Sequence, residues 1–283
     1  MKAESLIPDN FYGVLQRTAD GSLLDAVVEQ VRCLGYAVLD SGYDSTKLSA
    51  LSIEFDTLHS RYLDHYGVEN LGTINEENTL RALLAQGSGM FLDLVFNENL
   101  LSVLKKLIDG KFILNQQNGI INPPQQTYNQ ASWHRDLPYQ HFLSTTPLAI
   151  NALFCIDDFT IENGATFVLP ASHKSSAFPS ASHVKHNAFQ VEAKAGSFIL
   201  LDCMMFHAGG FNTTNAKRRA VNHLFNIPFL KQQIVIPGSM RQHNLSIEQR
   251  QILDFESPDG HESIESYLKF RLTRPRAPHK TIP

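Results

Sequence analysis

A chain of 283 residues, 43% hydrophobic and 18% charged, can bury a sizeable core as one large domain or two small ones. Its formal net charge of −4 leaves no polybasic face for nucleic acid or an anionic membrane, and the basic tail residues Arg271, Arg274, Arg276 and Lys280 read as solvated. Three widely spaced cysteines, Cys33, Cys155 and Cys203, form neither a disulfide framework nor a Cys-x-x-Cys metal site. Each sits in an apolar run, which predicts a buried free thiol. No apolar leader precedes a cleavage site and no stretch is long enough to span a bilayer, so a reducing cytoplasm is the expected compartment.

From Ser22 to Leu34, apolar residues recur at spacings of three and four, which predicts an amphipathic helix ended by Gly35. Tyr36 to Leu39 reads as a short strand. Helices are expected over Thr46 to Leu63, capped by Asp44 or Ser45, over Glu76 to Gln86, and in pieces from Met90 to Ile108 until Gly110. After Lys111 the pattern changes to short strand-like segments separated by turn residues: 112–121, 130–136, 148–156, 165–169, 189–193, 197–202, 204–208 and 218–227. Eight strands with few helices between them suggest a barrel or jelly roll. Helices follow over Ser246 to Leu253, with Ser246 and Gln249 as a capping box, and over His261 to Phe270. The expected fold class is α+β, one domain over 1–283: a mainly helical cover (1–110), a jelly-roll core (111–230) and a helical extension (231–283), with no Pro/Gly-rich linker between them.

The stretch from Ala131 to Asp136 organises the chain chemically. If it is extended, a period of two puts His134 and Asp136 on one face, close enough to share an ion, with Trp133 and Arg135 on the other. One imidazole and one carboxylate make two-thirds of a facial metal triad. His207, near the end of an apolar segment, is the candidate for the third ligand. Arg218 opens the next strand, and its guanidinium can grip a carboxylate in a bidentate fork. Arg219 takes that place if the register slips by one.

Three motifs in this order resemble one family: Trp133-His134-Arg135-Asp136, the run from Glu162-Asn163-Gly164 to Ser172-His173-Lys174, and His207 followed by Arg218 with Asn212 between. The chain resembles the phytanoyl-CoA dioxygenase-like branch of iron(II)/2-oxoglutarate-dependent oxygenases over roughly Phe112 to Pro228. The resemblance implies a double-stranded β-helix core of the cupin-like type. It also implies iron(II) held by His134, Asp136 and His207, the C5 carboxylate of 2-oxoglutarate on Arg218, Asn118 lining the cosubstrate, and Arg81 at the pocket mouth. The implied reaction is hydroxylation of a small molecule by dioxygen, with succinate and carbon dioxide released. Desaturation, cyclisation, epimerisation and a non-catalytic binding module stay open. A carboxylate at Asp136 argues against halogenation, because related halogenases have Gly or Ala there. One departure is Gly209, where the family often has a Ser or Thr that helps the arginine; Thr213 or Thr214 substitutes for it, or Arg218 acts alone.

Among the remaining candidates, His173 and Lys174 read as a turn after a strand, and His141, His183, His186 and His223 as surface or satisfied histidines. Amide and phenol side chains cluster near the motif: Asn115, Gln116, Gln117, Asn118, Tyr128, Asn129, Gln130, Tyr139 and Gln140. Buried amides need hydrogen-bond partners, so this composition predicts a small polar substrate rather than a branched acyl chain.

Overall fold

The computed structural model describes residues 10–19, 21–86, 89–137, 143–240, 244–255 and 263–273. Tyr139 and Gln140 of the polar cluster, His141, and the basic tail beyond 273 lie outside them. Helix α1 (Leu23–Leu34) starts at a capping box formed by Ser22 and Asp25 and stops at Gly35, whose φ of 87° is the left-handed geometry glycine adopts without cost. It leads into β1 (Tyr36–Asp40), and Asp44 caps the long α2 (Ser45–Tyr66), which is followed by α3 (Val68–Gly72).

The segment 76–86 is not the expected helix. Leu80, Leu83 and Leu84 carry helical spacing and are all buried, but Leu80 lies in the two-residue strand β2 (Thr79–Leu80), paired with Gly119. Leu83 and Leu84 lie in a 3-10 turn, and Ala82 just before them has a φ of 51°. The Asn118 side chain accepts the Ala82 amide at 3.0 Å and holds this break in place. A tertiary hydrogen bond thus overrides the local periodicity.

The helical cover continues with α4 (Gly89–Val95) and α5 (Glu98–Leu107), then β3 (Ile113–Asn122), β4 (Ala149–Cys155) and β5 (Thr166–Val168). After α6 (Ala181–Asn187) come β6 (Phe189–Val191), β7 (Ser197–Asp202), β8 (His207–Ala208) and β9 (Arg218–Asn226). The chain closes with α7 (Ile236–Ser239), α8 (Ile247–Ile252), which has the expected Ser246/Gln249 capping box, and α9 (Ile264–Thr273). Two antiparallel sheets result, one in the order β1-β7-β4-β9-β3-β2 and one in the order β6-β5-β8. They pack face to face as a jelly roll, with Ile120, Cys155, Ile199 and Ala220 of the large sheet meeting Val168 and Val191 of the small one. No described helix is long and apolar enough to cross a membrane.

Strand β9 shows how one sequence serves two layers. Val221 and Phe225 join the cluster under the helices, while Ala220 and Leu224 face the space between the sheets, as period-two geometry requires. Arg219 falls on the helical side and pairs with Asp157 and Asp56, which leaves Arg218 on the inner side. Gly119 of β3 lets α2 come close, because a Cβ there would stand 2.7 Å from the Phe55 ring. Cys155 and Cys203 are buried free thiols, but Cys33 is exposed: α1 buries Val28 and Val31, and Cys33 is turned away from that stripe.

His223, also on the helical side of β9, is wholly buried; its Nδ1 meets the Ala152 carbonyl at 3.0 Å and its Nε2 the Gln117 amide at 2.8 Å. Burial pushes its pKa down to about 4 from an ordinary 6.5. The unfolded chain therefore binds this proton between pH 6.5 and 4 while the folded chain does not. Its contribution is complete above pH 6.5 and is lost as the pH falls through 4, a loss of about 3 kcal/mol. Urea titrations of the metal-free protein across that range should show wild type losing this much more stability than His223→Gln. Parallel pH profiles for the two would contradict the assignment.

Candidate active site

The segment 130–136 is not a regular strand. A 3-10 turn takes Asn129–Ala131, and only His134 forms a bridge, to His207. That bridge is reciprocal: the His134 amide donates to the His207 carbonyl at 3.0 Å and the His207 amide to that of His134 at 3.1 Å. The Asp136 amide donates to the Cys203 carbonyl at 3.1 Å, so the stretch is extended without being part of a ladder. Alternation survives over these residues, and it sorts the side chains. Arg135 turns away, donates to the Ser172, Ser175 and Ser176 carbonyls, and lies 3.9 Å over the Phe206 ring. Trp133 packs against Phe167 and Phe178. Similarly, the expected strand 204–208 shrinks to His207–Ala208, because Met204 and Met205 turn back onto Asp202.

His134, Asp136 and His207 each present one possible ligand atom, all within 4.8 Å of one another. The Nδ1 atoms of both rings are engaged by carbonyls, His134 with Ser132 at 2.7 Å and His207 with Met205 at 3.1 Å. Nε2 is left as the free donor atom on each ring. The His207 Nε2 lies 3.7 Å from Asp136 Oδ1, and the other carboxylate oxygen accepts from Asn151 Nδ2 at 2.8 Å. Burial lowers the pKa of His207, with Asp136 opposing, which keeps the ring neutral and its lone pair available. Two imidazoles and one carboxylate, each fixed by a second hydrogen bond, are the donor set that suits ferrous iron.

The same cavity is lined by Tyr128, Gln130, Asn151, Thr166, Asn222 and Arg218, with Ile120, Leu153, Leu201 and Ala220 as apolar wall. Arg218 is 3% exposed, and among the described residues it has no ion-pair partner. Its Nη1 donates to the Gly164 carbonyl at 2.6 Å, its Nη2 to the Tyr128 hydroxyl at 3.4 Å, and its plane lies 3.9 Å over the Phe159 ring. Its Nε is buried without an acceptor. A buried guanidinium lacking a counter-charge is costly by itself and fits an anionic ligand.

Two expected site residues are placed elsewhere. Asn118 is buried on β3 with its amide committed to Ala82 and Gln116, in a separate small cavity beside Ile234 and Ser239. Arg81 is paired through Nε and Nη2 with Glu76 and does not line the triad cavity. Of the polar cluster near the motif, Tyr128 and Gln130 reach this cavity. Gln117 turns to Phe91 and His223, Asn115 to the Lys231 carbonyl, and Asn129 to that of Asn75. Asn151 and Asn222 are isolated amides in apolar strands and belong to no motif, but period-two alternation places both on the inner face. Neither Thr213 nor Thr214 reaches Arg218; they bond Glu162 and Asn212 with Ala216 instead. His173 and Lys174 lie in a 3-10 turn, with His173 buried near the Arg32 carbonyl at 3.3 Å.

An uncharacterized protein of Mycobacterium tuberculosis is 33% identical over 223 residues, covering 77% of this chain and 81% of its own. The Fe(II)/2-oxoglutarate-dependent dioxygenase nvfF of Aspergillus novofumigatus is 32% identical over 127 residues, 42% of each chain. The crystal structure of EctD from S. alaskensis with 2-oxoglutarate and 5-hydroxyectoine shares the fold, with a TM-score of 0.63 at 19% identity over 77% of this chain and 81% of that one. The family model described as phytanoyl-CoA dioxygenase matches residues 31–220, more than half of the sequence, and the chain belongs to that family.

Proposed function

We propose that this chain hydroxylates a small polar metabolite, with His134, Asp136 and His207 holding iron(II) and Arg218 holding the C5 carboxylate of 2-oxoglutarate. Family membership makes it a non-haem iron, 2-oxoglutarate-dependent dioxygenase. The observation that carries the residue assignment is the convergence of three ligand atoms within 4.8 Å in the cavity that also holds the unpaired guanidinium. When bound, iron and 2-oxoglutarate supply the oxidising chemistry, in which dioxygen is consumed, the keto acid becomes succinate and carbon dioxide, and one oxygen atom reaches the substrate.

The chain's own residues do the rest. The Ser132 and Met205 carbonyls, bonded to Nδ1 of His134 and His207, fix the ring tautomers, Asn151 sets the carboxylate plane, and Arg218 with Phe159 beneath it orients the cosubstrate. Ile120, Leu153, Leu201 and Ala220 exclude water. One domain over 1–283 accommodates all of this, and the free thiols of Cys33, Cys155 and Cys203 suit a reducing cytoplasm.

The polar-substrate reading rests on Gln130, Asn151, Thr166 and Asn222 in the cavity wall. Asn151 Oδ1 and Asn222 Oδ1 are buried without a partner among the described residues, so each has an acceptor to offer. Anaerobic addition of iron(II) and 2-oxoglutarate to the apoprotein should give a weak visible charge-transfer band; no band, and no slow succinate formation in air, would favour a binding module. Given the band, succinate release should be stimulated more by sugars or amino-acid derivatives than by fatty acyl-CoA. Much faster release with the acyl-CoA would sink the polar-substrate reading.

Asn151 gives a further test. Its Nδ2 donates to Asp136 Oδ2 at 2.8 Å, so Asn151→Leu should weaken iron(II) binding by about 10- to 100-fold in a chelator competition. Wild-type affinity in that variant would mean the amide does not orient the carboxylate.

A further inference from the structure

We infer that Tyr128 supplies the second hydrogen bond to the distal carboxylate of the cosubstrate, and that Gly209 is a glycine because the Tyr128 ring occupies the space of its side chain. The inference rests on the proposed role of Arg218.

Three observations meet at this point. First, a Cβ built on Gly209 would stand 2.0 Å from the Tyr128 hydroxyl, 2.8 Å from Cζ and 3.1 Å from Cε1, so no side chain fits at 209 while the tyrosine stays. Gly209 adopts no left-handed backbone geometry, which makes close approach rather than conformation the reason for glycine. Second, the hydroxyl oxygen accepts from Arg218 Nη2 at 3.4 Å, and its own proton has no acceptor among the described residues. Third, Tyr128 and Arg218 line the triad cavity together, and Arg218 brings an Nε with no acceptor and no counter-charge among the described residues.

A carboxylate arriving at this guanidinium therefore finds a donor hydroxyl already aligned beside the fork. Burial raises the pKa of Tyr128, with Arg218 opposing, so the phenol remains a proton donor at neutral pH. The arrangement also answers how Arg218 works without a hydroxyl two residues after His207. The group comes from the loop before the first ligand motif, and Thr213 and Thr214 are occupied elsewhere.

The test separates a carboxylate contact from a structural role. With iron(II) bound under argon, dissociation constants are measured for 2-oxoglutarate and for 2-oxopentanoate, which carries a methyl group in place of the distal carboxylate. Tyr128→Phe should weaken 2-oxoglutarate by about 10- to 100-fold, the range for a hydrogen bond to a charged group, and leave 2-oxopentanoate within twofold. Gly209→Ala, which pushes the ring aside, should weaken the same ligand selectively. Tyr128→Ala with Gly209→Ser should bind 2-oxoglutarate more tightly than Tyr128→Ala alone. Equal affinity of wild type and Tyr128→Phe for 2-oxoglutarate overturns the inference, as does an equal loss for both keto acids. If wild type binds neither ligand in the presence of iron(II), the cosubstrate site itself is refuted, and this inference falls with it.

Discussion

Arg218→Ala should lower the affinity for 2-oxoglutarate by about 10²- to 10³-fold, as expected when one partner of a buried charge pair is removed, and leave iron(II) affinity nearly unchanged. The size follows from the setting: the guanidinium is almost wholly enclosed, rests on Phe159, and has no carboxylate among the described residues to satisfy it. The same setting predicts an opposite sign for the empty protein. Without ligand the charge is uncompensated, so Arg218→Met, which keeps most of the packing volume, should leave thermal stability of the apoprotein equal to or above wild type. Wild type alone should then be stabilised by added 2-oxoglutarate. Undiminished 2-oxoglutarate binding by Arg218→Ala would move the anchor away from Arg218.

Replacing Asp136 with Gly should abolish turnover and cut iron(II) affinity by more than about 100-fold, beyond the range expected for a group one contact further out such as Asn151. The two imidazoles that remain bring no negative charge, so the charge that offsets the cation is gone. The fold should survive, because the bond from the Asp136 amide to the Cys203 carbonyl and the reciprocal amide bonds of His134 and His207 remain to hold the segment. Circular dichroism and urea midpoints near wild type, with no succinate produced, are the expected pair of results. Full activity in this variant would remove Asp136 from the metal site.

The layered fold was legible wherever residue period and burial agreed. In β9, alternation alone separates Arg218, Ala220 and Asn222 from Arg219, Val221 and His223, and the structure keeps that partition. It also separated Arg135 from its neighbours in the ligand motif. What stayed hidden depended on partners distant in sequence. Residues 76–86 carry a helical leucine pattern, but pairing with Gly119 and the bond from the Ala82 amide to the Asn118 side chain decide their shape. The amides around the motif looked like one polar pocket because they are adjacent in sequence. Their hydrogen bonds disperse them to the Phe91, Asn75 and Lys231 carbonyls, and amides from other strands, Asn151 and Asn222, take the inner wall. The relation between Gly209 and Tyr128 is purely one of volume, which no local pattern in either segment reveals.

The reciprocal amide bonds between His134 and His207 have a consequence for how the centre is assembled. Because the two ligand-bearing segments are already stitched together backbone to backbone, little conformational entropy remains to be lost when an ion arrives, so binding free energy is not diverted into folding the site. A metal ion held there as proposed should therefore exchange without unfolding: a chelator should strip it and fresh iron refill it while the 134–207 bridge holds its register.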